Sequence, residues 1–78
     1  MNGENKLRGM IVSQAGSLRK FAADIGWDYN KLYRIVTRAQ EPDATDINTL
    51  SDALRITEDP ATVVELFLLP WRSQNVNN

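Results

Sequence analysis

The sequence predicts an all-α fold, a compact five-helix domain, on three observations. Apolar residues recur at the three- and four-residue spacing that places side chains on one helix face, as in Leu18, Phe21, Ala22 and Ile25. Residues that start or stop helices stand between these segments, among them Gly16, Ser17, Gly26, Asp28, Asp59 and Pro60. No stretch carries a convincing strand pattern.

The first helix is expected near residues 4–15, with Leu7, Met10, Ile11 and Ala15 facing inward. Gly9 weakens it by about 1 kcal/mol relative to alanine. Gly16 is a stop, and Ser17 is placed to cap a second helix whose apolar face is Leu18, Phe21, Ala22 and Ile25. Gly26 supplies a left-handed turn, Trp27 a hydrophobic plug between two helices, and Asp28 the cap of a third helix with Leu32, Ile35 and Val36 inward. The polar loop AQEPDAT follows, where Pro42 discourages helix. Asp46 is then expected to cap a fourth helix carrying Ile47, Leu50, Ala53 and Leu54 on its buried side. Asp59 and Pro60 start a fifth, ending near Pro70. The domain is expected to span 1–72, followed by a disordered polar tail at 73–78.

Composition narrows the function classes. A chain of 78 residues has room for one small core, and no apolar run approaches the roughly 20 residues that span a bilayer. The opening MNGENKLRG lacks the apolar centre of a signal peptide, so a cytoplasmic protein is expected. With neither cysteine nor histidine, the thiolate nucleophile, the usual proton shuttle and the commonest metal ligand are missing, which argues against an enzyme and against a cofactor. Asp24 with Asp28, and Glu58 with Asp59, are better explained as surface and capping groups than as acid-base pairs. The net charge of −1 hides an asymmetry. Residues 1–38 carry seven basic side chains against three acidic ones, and residues 39–78 carry two against seven. A basic half suits a polyanion, although the same charges also serve simply to solvate two faces.

Residues 17–38, SLRKFAADIGWDYNKLYRIVTR, therefore read as two short helices joined by a tight turn, the layout of a helix-turn-helix. On the second of these helices Tyr29, Asn30, Tyr33, Arg34 and Thr37 lie opposite the apolar stripe and are the expected readers of DNA or of a partner protein. Arg34 suits guanine, Asn30 suits adenine, and the two tyrosines suit phosphates or thymine methyls. Arg19, Lys20, Lys31 and Arg38 are the expected phosphate contacts.

With Ala22, Gly26, Trp27, Leu32 and Ile35 at matching spacing, the chain resembles the Cro and phage-repressor class of helix-turn-helix regulators, the Xre-like family. The segment DINTLSDALRI looks like that family's fourth helix, and the resemblance covers about residues 5–56. It implies a lambda-repressor-like fold and a phage or prophage regulator that binds operator DNA through its third helix. Three departures stand out. Leu18 occupies a position where the family often has a phosphate-contacting glutamine, Asp28 stands where serine or threonine is common, and Pro42 lies four residues ahead of Asp46, giving a longer and more acidic loop.

Two functions follow as expectations: a Cro-like transcriptional regulator on double-stranded operator DNA, or an antirepressor or co-repressor whose same surface grips a partner repressor. The segment ATVVELFLLPW is apolar around almost its whole circumference, more than a single core-facing stripe needs. Either it closes a small core, or Phe67, Leu68 and Trp71 form a patch for a homodimer or partner.

Overall fold

The computed structural model describes residues 6–70, and among them there are five helices and no strand. They run in the order α1 (Lys6–Ala15), α2 (Leu18–Ile25), α3 (Tyr29–Val36), α4 (Ala44–Leu54) and α5 (Pro60–Phe67). No described helix is long and apolar enough to cross a membrane. The expectations for Trp71 and for the tail at 73–78 fall outside the described residues. The chain divides into two units, one on each side of the Gln40–Glu41 bond.

In the first unit, α2 packs against both α1 and α3. Its buried side chains are Leu7 and Ile11 from α1, Leu18, Phe21 and Ala22 from α2, and Leu32, Ile35 and Val36 from α3. The expected stripes are thus the buried ones, with Met10, Ala15 and Ile25 only half-buried at their margins. Ala22 is 2% exposed, and its single methyl lets α2 lie close to its neighbours. Gly9 stands mid-helix with open space where a Cβ would project. Gly9→Ala is therefore expected to raise unfolding stability by about 0.5–1 kcal/mol, read as a higher urea midpoint. An unchanged midpoint would show that α1 frays at no cost to the fold.

Caps define where the helices end. The Ser17 hydroxyl accepts the Lys20 N–H at 3.1 Å, and the Asp28 carboxylate accepts the Asn30 N–H at 3.0 Å. After α2, Gly26 takes φ +76°; its N–H donates to the Ala23 carbonyl and that of Trp27 to the Ala22 carbonyl, the two bonds of a Schellman motif. The same pair of bonds closes α3 around Arg38 and α4 around Arg55, at φ +67° and +63°. An arginine there crowds its Cβ against the backbone, at a cost of roughly 1–2 kcal/mol that glycine avoids.

In the second unit α4 starts earlier than its expected cap at Asp46. Asp43, not Asp46, caps α4, so the helix starts at Ala44. Asp43 accepts the Asp46 N–H at 2.8 Å, and Asp46 reaches back to accept the Asp43 N–H at 3.1 Å, a reciprocal capping box with aspartate in the place glutamate usually takes. Asp46, buried at 6% exposure, thus offsets its desolvation by accepting a backbone proton. α5 opens as expected, with Pro60 in its first turn and Asp59 accepting both the N–H and the hydroxyl proton of Thr62, at 3.3 and 2.7 Å. It runs to Phe67, and after a turn at Leu68 the backbone is helical again at Leu69 and Pro70. α4 and α5 pack together, and Leu50, Leu54, Ile56, Leu66 and Phe67 are buried.

Candidate recognition surface

α3 has two sides with different work. Leu32, Ile35 and Val36 are buried and fix the helix, so Asn30, Tyr33, Arg34 and Thr37 come out exposed on the other side, with Tyr29 half-buried at its edge. Helical geometry thereby brings the five expected readers onto one continuous strip. Tyr33 is 44% exposed, and its ring lies 5.9 Å from that of Tyr29, tilted by 33°. The Thr37 hydroxyl donates to the Tyr33 carbonyl at 2.8 Å, so its proton is engaged within α3.

Each expected phosphate-contacting cation is held differently. Arg19, from the first turn of α2, lies with its guanidinium carbon 4.2 Å from the centre of the Tyr29 ring. This cation–π contact joins the starts of α2 and α3 and leaves the guanidinium edge able to donate. Lys20 pairs with Asp24 one helical turn on, at 3.2 Å, an exposed pair that contributes little to stability. The Lys31 ammonium sits 4.4 Å from the centre of the Trp27 ring. Trp27 is half-buried, so instead of a sealed plug it is a platform that carries a charge. Arg38 is half-buried at the left-handed turn after α3.

One participant escaped the sequence reading. Gln40 lies beyond the helix, where periodicity is silent, yet its side-chain oxygen accepts the Arg34 Nε–H at 3.0 Å. The available signal, a glutamine six residues after an arginine across a turn, is too weak to read without knowing that Arg38 adopts a positive φ.

The patch expected on α5 needs correction. Phe67 is fully buried and offers nothing to a partner, because a short helix with apolar residues on every side must still turn its bulkiest one inward. Leu68 is 38% exposed, as is Val64, and Leu69 is 48% exposed. Among the described residues no group of three or more His, Cys, Asp or Glu side chains is placed to hold a metal ion. No protein-family model, curated protein or solved structure matches this chain.

Proposed function

We propose that this chain is a Cro-like, phage or prophage transcriptional regulator of the helix-turn-helix type that binds double-stranded operator DNA through α3. The observation that carries it is the strip of Tyr29, Asn30, Tyr33, Arg34 and Thr37, displayed on a helix anchored by the buried Leu32, Ile35 and Val36. In a major groove, Arg34 donates to guanine O6 and N7, Asn30 pairs with the adenine edge, and the tyrosines meet phosphates or thymine methyls. Arg19, Lys20, Lys31 and Arg38 fix the register through backbone phosphates.

The test is a fluorescence titration against duplexes from the chain's own control region at low salt. Arg34→Ala is expected to cost about 1–3 kcal/mol on the preferred site and to relax selection at one base position. Lys31→Ala should weaken all duplexes alike. Absence of any sequence preference in the unmodified protein rejects the proposal.

A second reading draws support from the Arg19, Tyr29 and Tyr33 stack and from the acidic neighbours Asp24 and Asp28. Arginine and aromatic residues dominate protein–protein hot spots, and nearby carboxylates repel phosphate. On this reading the same strip grips a partner repressor, making the chain an antirepressor or co-repressor. Capture of the repressor encoded beside it, with no DNA affinity of its own, would favour this reading.

A further inference from the structure

Resting on the DNA reading above, we infer that Gln40 is a positioning residue that sets Arg34 to meet guanine end-on, through Nη1 and Nη2. Gln40 is tied to Arg34 twice. Its backbone N–H donates to the Arg34 carbonyl at 3.1 Å, and its side-chain oxygen accepts the Arg34 Nε–H at 3.0 Å. The atom facing Nε must be the amide oxygen, because Nε of arginine only donates. What brings Gln40 back over the last turn of α3 is the left-handed Arg38, whose N–H reaches the Ile35 carbonyl at 3.1 Å while that of Ala39 reaches the Arg34 carbonyl at 2.8 Å. Gln40 is half-buried, which restricts its side chain, whereas Arg34 is exposed.

The chemistry follows from the shape of the guanidinium. It is planar and rigid, so occupying Nε fixes the direction in which the remaining four N–H bonds point. Side-on binding through Nε and one Nη is thereby closed, and the fork of Nη1 and Nη2 is left, with no partner for either among the described residues. A fork of donors demands two acceptors side by side. In the major groove guanine presents that pair at O6 and N7, whereas adenine sets a donor beside its N7. Holding the arginine before contact also lowers the rotamer entropy lost on binding, so Gln40 acts on selectivity without touching the DNA.

The experiment uses the full chain and a duplex that it enriches from a random pool, compared with the same duplex carrying 7-deazaguanine, which lacks N7, at each guanine in turn. At one guanine the unmodified protein should lose affinity about fivefold or more, and Arg34→Ala should not sense the change. Gln40→Ala, which removes the acceptor, should fall to within about twofold of that insensitivity. Gln40→Glu keeps an accepting oxygen and should retain the discrimination while binding every duplex more weakly, since it adds a negative charge. In the free protein, an Arg34 Nε–H resonance protected from exchange should be seen in the unmodified chain and in Gln40→Glu, and lost in Gln40→Ala. Failure to enrich any sequence rejects the DNA reading and this inference with it. Enrichment by the unmodified chain, followed by a Gln40→Ala variant that senses the missing N7 as strongly as the unmodified chain does, overturns this inference alone.

Discussion

Phe67→Ala is expected to lose about 3–5 kcal/mol of unfolding stability, the usual cost of emptying a fully buried aromatic site. For a chain of 78 residues the whole stability is on the order of 4–12 kcal/mol, so the loss removes about a quarter of it at the upper end of that range and all of it at the lower end. Urea unfolding followed by tryptophan fluorescence measures this; with a slope near 1 kcal/mol per molar, the midpoint should fall by about 3–5 M. Leu68→Ala is the matched control one residue on, where partial exposure limits the loss to about 1 kcal/mol. A Phe67→Ala midpoint near that of the unmodified chain, together with a change in sedimentation, would restore Phe67 to an interaction patch and contradict its burial.

Phe67 also marks the boundary of what periodicity can tell. In α1, α2 and α3 polar residues interrupt the apolar ones, so Leu18, Phe21 and Ala22, or Leu32, Ile35 and Val36, declare which side goes in. The run VVELFLL has only Glu65 as a polar break, and nothing local ranks Phe67 above Leu68. Caps behave in the same way. Ser17, Asp28 and Asp59 were legible because the groups they satisfy lie two or three residues away and no neighbour competes. Asp43 and Asp46 stand three apart and either can cap; which one does depends on where the first turn of α4 forms, and the reciprocal bond places Asp46 inside the helix.

The candidate surface divides along the same line. The strip on α3 was legible as the complement of a buried stripe, but the partners of its side chains were not. Arg19 over Tyr29 joins two helices across a turn, and Gln40 on Arg34 depends on an arginine in a backbone region where sequence rules expect glycine. Tyr29, Trp27 and Asp24 each hold a cation that charge counting alone would assign to phosphate. Net charge therefore describes the field around this surface better than it describes the contacts available on it.

The second large effect is the salt dependence of DNA affinity. If Arg19, Lys20, Lys31 and Arg38 each neutralise one phosphate, the slope of log K against log salt is about −3.6, and affinity falls roughly 150-fold between 50 and 200 mM. Lys20 decides how steep it is. Its ammonium is already paired with Asp24 at 3.2 Å, and a lysine that keeps this pair displaces no counterion from DNA, leaving a slope near −2.7 and a loss of roughly 40-fold. Asp24→Asn removes the competing carboxylate and should steepen the slope by about one unit while strengthening binding at low salt. Arg19 should count fully, because stacking on Tyr29 leaves its charge intact. Titration of a labelled duplex at four or five salt concentrations gives the slope directly. A slope near zero would show that none of these four cations meets a phosphate, and would reject a DNA-binding role for this surface.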